Sequence, residues 1–152
     1  MGLTLPQGDL RLVPATDADA QGLADLRAAA MRPSLQAIGR FDPVRARDRF
    51  LSTFVAEDTR IILVGNQRAG VVVLRQRPDH LYLDHLYLTG TCQGRGIGGW
   101  VIDLVQARAR ALGLPIRLVT LTDSPAARFY QGRGFVPIAM TPPDTPCDWR
   151  AS

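Results

Sequence analysis

The chain has 152 residues, the length of one compact domain, and its 46% hydrophobic and 21% charged residues are ordinary for a globular protein. The net charge is +4 and all 18 basic residues are arginine, scattered without interleaved aromatics, which argues against a nucleic-acid surface and suits a polyanionic small ligand. No apolar run approaches the roughly 18 residues of a membrane span, residues 1–10 lack a secretory pattern, and Cys92 and Cys147 have neither metal nor disulfide spacing, so a cytoplasmic single domain over residues 1–152 with reduced thiols and no metal is expected.

Residues 10–13 alternate as a first strand. Thr16 or Asp17 offers an N-cap for a helix over 18–31, which Pro33 is expected to stop. Pro43 suits the first turn of a second helix running to about Phe54, with Arg45, Arg47 and Arg49 outside and Val44, Phe50, Leu51 and Phe54 toward a core. Residues 60–64 and 70–75 read as a hairpin around a turn at 66–69, and 80–88 as a third consecutive strand after a turn at Pro78 and Asp79. A glycine-rich loop over 90–99 then opens an amphipathic helix with Ile97, Trp100, Val101, Leu104, Val105 and Leu112 on one face, ended by Gly113. Residues 116–121 form a strand, 125–131 a short helix and 135–139 a strand; a proline-rich stretch over 141–146 leads to a last segment at 147–150. The order β-α-α-β-β-β-α-β-α-β, with one more strand at the end, predicts an α/β protein with a mixed sheet of six to seven strands and about four helices.

The segment that carries chemistry is Gln93-Gly94-Arg95-Gly96-Ile97-Gly98-Gly99, between a strand and a helix. The first amides of a helix lack intrahelical partners and sit at the positive end of its dipole. Glycines let a phosphate approach those amides, and Gln93 and Arg95 add side-chain donors. A tight strand-to-helix turn has the same composition. A Walker A loop is excluded, because it needs a lysine before Ser or Thr and the chain has none. A dinucleotide fingerprint needs a different glycine order in an early βαβ unit.

Gln93-Gly94-Arg95-Gly96-Ile97-Gly98 resembles the Q/R-x-x-G-x-G/A signature of the GNAT acetyltransferases, and Leu86-Tyr87-Leu88 resembles the strand that leads into it. About 30 residues on, the run from Ala126 through Phe129-Tyr130-Gln131-Gly132-Arg133-Gly134-Phe135 resembles the family's second motif. The resemblance covers roughly residues 9–140 and is strongest over 80–136. It implies a splayed central sheet, the acyl-CoA N-acyltransferase fold, with acetyl-CoA as acyl donor and a small-molecule or protein primary amine as acceptor. The pyrophosphate would rest on amides of Gln93, Gly94, Arg95, Gly96, Ile97 and Gly98. The pantetheine arm would pair with backbone groups of Leu86 and Leu88. Relatives often dimerise, so a homodimer fits as well.

Tyr130 matches the tyrosine that in many such enzymes protonates the departing CoA thiolate; a core tyrosine beside Phe129 is the structural alternative. For the base that takes the amine's proton, Asp84 and His85 are alternatives rather than a dyad. Strand alternation puts Leu81, Leu83, His85 and Tyr87 on one face and Tyr82, Asp84, Leu86 and Leu88 on the other. Many relatives have a glutamate here, and the chain's single glutamate, Glu57, lies elsewhere. An amide near Leu86 is a candidate for the oxyanion. Asp123 stands where many members have an asparagine near the pantetheine, but the Ser124-Pro125 that follows favours a helix cap. Gly90 replaces a common proline, and Cys92 has no evident partner base. Trp149 and Arg150 line the substrate cleft or close the sheet. The alternative to an N-acetyltransferase is a non-catalytic acyl-CoA-binding module, which needs the cradle but not Tyr130. Arg32, Arg40 and Phe41 hint at an acceptor with a carboxylate.

Overall fold

The structure, a computed structural model, describes residues 9–151, so the reading of residues 1–8 lies outside them. The elements run β1 (Leu10–Pro14), α1 (Ala20–Ala37), α2 (Pro43–Leu51), β2 (Thr59–Val64), β3 (Gln67–Gln76), β4 (Leu81–Leu88), α3 (Ile97–Leu112), β5 (Ile116–Leu121), α4 (Pro125–Gly132), β6 (Val136–Pro137) and β7 (Asp144–Trp149). The strands pair in the order β1-β2-β3-β4-β5-β7-β6. The short connections β2–β3 and β6–β7 make antiparallel neighbours, whereas α3 carries the chain back so that β5 runs parallel to β4. This is the mixed sheet of seven strands with four helices that the sequence predicts. The parallel ladder joins Leu81 to Ile116 and Tyr82 to Arg117, a short run of the kind a splayed sheet has.

Two compact units divide the chain, Met1–Val73 with His85–Gly98, and Leu74–Asp84 with Gly99–Ser152. In the first, Thr16 opens a short 3-10 turn that leads into α1. Its backbone N–H donates to Asp19 Oδ2 at 2.9 Å and its hydroxyl to the same oxygen at 3.1 Å. Arg68 Nη2 donates to Asp19 Oδ1 at 3.0 Å. Contrary to expectation, α1 passes through Pro33. Proline removes one amide from the ladder, and at this exposed position solvent can serve the carbonyl left over. The helix ends instead at Ala37, just before Gly39, whose φ of +69° permits the paired bonds Gly39 N–H to Gln36 O at 3.0 Å and Arg40 N–H to Leu35 O at 2.8 Å.

Asp42 caps α2, its Oδ1 accepting from the amides of Val44 and Arg45 at 3.0 and 3.2 Å. The helix stops at Leu51, short of Phe54. Val44, expected in the core, is 66% exposed, because it sits at the second helical position with its side chain turned outward. Phe50 is buried with Leu23, Ala24, Ile61, Val71 and Val73, and Leu51 and Phe54 pack against that cluster. The hairpin turn is tighter than expected. Gln67 already pairs with Val64, and Ala69, placed in the turn by its sequence context, is fully buried. Ile62 faces Gly70 while Leu63 faces Arg68, so Ala69 is the extra residue of a β-bulge. Its carbonyl accepts from Thr89 N–H at 2.8 Å, which anchors the end of β4.

In the second unit, β5 pairs with β7 along its whole length, from Ile116 with Trp149 to Leu121 with Asp144. The second half of the stretch expected as a proline-rich lead-in, from Asp144 on, is therefore strand, and β6 is shorter than expected. Arg117 and Asp148 face each other across β5 and β7 with N···O distances of 2.9 and 3.3 Å, and that carboxylate pushes the guanidinium's pKa up. On α3 the buried stripe is Ile97, Val101, Ile102, Val105 and Ala109. It is rotated from the predicted face, since Leu104 is 43% exposed and Leu112 is also exposed, and Ile102 takes their place inside.

Candidate active site

The loop between β4 and α3 has the local form a phosphate cradle needs. After a 3-10 turn over Gly90–Cys92 the chain stays exposed from Gln93 to Gly96 and enters α3 at Ile97. Gly94 and Gly96 take φ values of +75° and +79°, the left-handed region where a side chain is strained. Two left-handed glycines bracketing Arg95 just before a helix turn successive amides toward its positive end. The side chain of Gln93 works within this loop, its Nε2 donating to the Leu88 carbonyl at 3.2 Å. It ties the loop back to β4 instead of standing ready as a donor.

Along β4 the predicted alternation holds. Leu81, Leu83 and His85 are buried, and Tyr82, Asp84 and Leu86 are partly exposed as residues. Asp84 is engaged in structure, because Arg75 Nε donates to its Oδ2 at 3.0 Å and the two side chains are 7% and 5% exposed. His85, 2% exposed, heads a polar chain that reaches into α1 and α2. Its Nδ1 is 3.0 Å from Tyr87 Oη, and its Nε2 is 3.5 Å from Arg49 Nη1. Arg27 Nε donates to Tyr87 Oη at 3.2 Å, and Arg27 Nη1 donates to the Ala46 carbonyl at 2.7 Å. The Phe50 ring packs 5.0 Å from the imidazole.

A guanidinium has donors only, so the imidazole faces Arg49 with the lone pair of Nε2. The ring hydrogen then sits on Nδ1 and is donated to Tyr87 Oη, which also accepts from Arg27. Tyr87 was legible in sequence as His85's neighbour two residues along one strand face. Arg27 and Arg49 were not, because only the packing of α1 and α2 brings them to β4.

In the second unit Tyr130 is buried on α4, its ring 5.2 Å from that of Phe129 and 5.5 Å from that of Phe135. Its carbonyl accepts from the amides of Arg133 and Phe135 at 2.9 and 3.1 Å, which closes the helix. The cap of α4 is Ser124, whose Oγ accepts from Ala127 N–H at 3.1 Å, and not Asp123. Asp123 precedes the cap with φ +59°, a conformation Asp and Asn tolerate better than other side chains. Its carbonyl, rather than its carboxylate, takes the bond from Arg128 Nη1 at 3.0 Å. Both cysteines are free and buried, and burial pushes the Cys147 thiol up in pKa, with Asp148 adding to the effect. Trp149 lies under Arg110, whose guanidinium is 5.1 Å from the ring, so it belongs to the packing of β7. Among the described residues no group of three or more His, Cys, Asp or Glu is placed to hold a metal ion, and no helix is long and apolar enough to cross a membrane.

Residues 50–137 match the family model described as an acetyltransferase (GNAT) domain. No curated protein matches the chain in sequence. Among solved structures, the chain is similar to the PaiA N-acetyltransferase of Thermoplasma acidophilum in complex with coenzyme A, with 13% identity, a TM-score of 0.72 and coverage of 93% of this chain and 99% of that one. A GCN5-related N-acetyltransferase of Rhodopseudomonas palustris is 21% identical with a TM-score of 0.71, covering 99% of this chain and 100% of the other. Arabidopsis thaliana Naa50, in complex with the bisubstrate analogue CoA-Ac-MVNAL, is 17% identical with a TM-score of 0.65 and coverage of 95% and 99%.

Proposed function

The chain belongs to the GNAT acetyltransferase family, and from that premise we propose how its residues divide the work of moving an acetyl group from acetyl-CoA to an amine. The enzyme is an acyl-CoA-dependent N-acetyltransferase, with acetyl-CoA as its donor substrate. The observation that carries the reading is the pair of left-handed glycines, Gly94 and Gly96, at the mouth of α3. Amides from Gln93 to Gly98 take the pyrophosphate, and backbone groups of Leu86 and Leu88 take the pantetheine as an added strand.

His85, rather than Asp84, is the base. The Asp84 carboxylate is committed to Arg75 in a buried pair, whereas His85 offers an imidazole, the side chain whose ordinary range suits proton transfer near neutral pH, with its Nε2 turned toward α2. The amine nitrogen attacks the thioester carbonyl, its proton passes to Nε2, and the oxyanion is held by an amide near Leu86. The C–S bond then breaks, and Tyr130 supplies a proton to the leaving thiolate. Two free, buried cysteines support a cytoplasmic enzyme. The exposed apolar side chains of Val136, Ile138 and Met140 support a homodimer.

Calorimetric titration of acetyl-CoA into wild type and Gly96→Glu tests the cradle. Wild type binds and the variant does not, because the added carboxylate meets the pyrophosphate. A wild type without affinity for acetyl-CoA overturns the reading.

A further inference from the structure

Arg133 closes α4, and it lies against one stripe of α3. Its guanidinium covers Gly99 in the first turn, which is buried there; a methyl added to that glycine would stand 2.7 Å from Arg133 Cζ and closer still to Nη2. One turn on, Arg133 Nη1 donates to Asp103 Oδ1 at 2.9 Å. A further turn on, the buried Gln106 donates from Nε2 to the Arg133 carbonyl at 3.0 Å. Gly99, Asp103 and Gln106 share one face of the helix, so the side chain and the main chain of a single residue dock on that face together. We propose that Arg133 is a positioning residue for Tyr130: by seating the end of α4 on α3 it fixes the place of the phenol that protonates the departing thiolate. The inference rests on the reading of Tyr130 as the acid.

The path from Arg133 to Tyr130 is short. Arg133 N–H donates to the Tyr130 carbonyl at 2.9 Å, and Phe135 N–H donates to the same oxygen at 3.1 Å. The Arg133 guanidinium lies 5.9 Å from the Phe129 ring, which in turn meets the Tyr130 ring at 5.2 Å. With eight residues, α4 is too short to hold its shape without outside support. Ser124 fixes its first turn, and the seat on α3 fixes the turn that carries Tyr130. The residue types suit the task. Glycine weakens a helix relative to alanine, but at position 99 it leaves the room the guanidinium fills. A cation at the start of a helix is opposed by the helix dipole, and Asp103 offsets that. The planar guanidinium reaches Asp103 and faces Phe129 at once, which an ammonium does less well. A general acid works only within hydrogen-bond reach of its target, so a small shift of this turn is costly.

The test is a double-mutant cycle. It reads the rate of CoA release from saturating acetyl-CoA, with the fastest acceptor among water, the common amino acids, polyamines and short peptides. Arg133→Ala lowers that rate by about ten- to a hundredfold, the scale of a misplaced catalytic group. In a Tyr130→Phe background the same change alters it by less than about twofold, since the phenol it positions is gone. Arg133→Lys restores part of the rate, because it keeps a charge for Asp103 and lacks the planar fork. Gly99→Ala fills the seat of the guanidinium and improves the helix, so the rate falls while the melting temperature holds or rises. A full rate in Arg133→Ala or in Gly99→Ala overturns the inference, and so does an Arg133→Ala loss as large in Tyr130→Phe as in wild type. Tyr130→Phe alone separates the two readings: a full rate in that variant removes Tyr130 as the acid with Arg133 untouched.

Discussion

Arg75 Nε and Asp84 Oδ2 meet at 3.0 Å with both side chains almost wholly buried, in neighbouring strands just before the chain reaches His85. A buried pair of this kind adds little to stability as a pair, but either charge left alone is costly. Asp84→Ala is therefore expected to destabilise the protein by about 3–5 kcal/mol. Arg75→Met/Asp84→Leu should lose less than either single variant. Urea denaturation reads both. Asp84→Ala activity is then to be judged at a temperature where the variant is folded. If Asp84→Ala costs nothing, the carboxylate is not structural, and its case as the base reopens.

The Thr16 backbone amide, first among several donors, holds the Asp19 carboxyl below the ordinary carboxylate pKa, with the Thr16 hydroxyl and Arg68 adding to it against the cost of burial. Because the folded-state pKa is depressed, this stabilisation is fully present above the unfolded value of about 4 and is lost as pH falls through the lower folded value. Asp19→Ala should cost about 1 kcal/mol at neutral pH, as other lost caps do. The difference between the two proteins should shrink below about pH 4. Denaturation at pH 7, 5 and 3 checks it, and a gap that stays constant across that range contradicts the assignment.

Asp123 sits at φ +59° before the Ser124 cap. Asp123→Gly is expected to keep or slightly raise stability, because glycine adopts this backbone without strain. Asp123→Val should lose about 1–2 kcal/mol. Shifts in the urea midpoint distinguish them. If the position serves acetyl-CoA through its backbone, Asp123→Asn leaves affinity unchanged in a calorimetric titration; a marked loss assigns the carboxylate a direct part.

Tyr130→Phe keeps the ring that packs on Phe129 and Phe135 and removes only the hydroxyl. It is expected to leave acetyl-CoA binding intact and to lower kcat by about 10²–10⁴, the usual worth of a positioned general acid. Steady-state kinetics beside calorimetry reads the two separately. Full kcat in the variant makes Tyr130 a packing residue.

Fold class was legible because its signals are local. The period-two runs at 60–64 and 70–75, the helical spacing after Gly96 and the glycines of the cradle are each written within a few residues. So was the opposition of Asp84 and His85, since alternation along a strand follows from backbone geometry alone. Local rules misplaced Pro33, Val44, Ala69 and Leu104. Whether a proline ends a helix, or which apolar side chain is covered, depends on solvent access and on neighbours distant in the chain. By itself the sequence determined the element order, the cradle and the family to which it points. Only the tertiary structure shows what surrounds the two polar residues of β4, because Arg75 reaches Asp84 from β3 while Arg27, Arg49 and Phe50 reach His85 and Tyr87 from α1 and α2. A side chain's chemistry is set by what touches it, and no spacing along the chain encodes that contact.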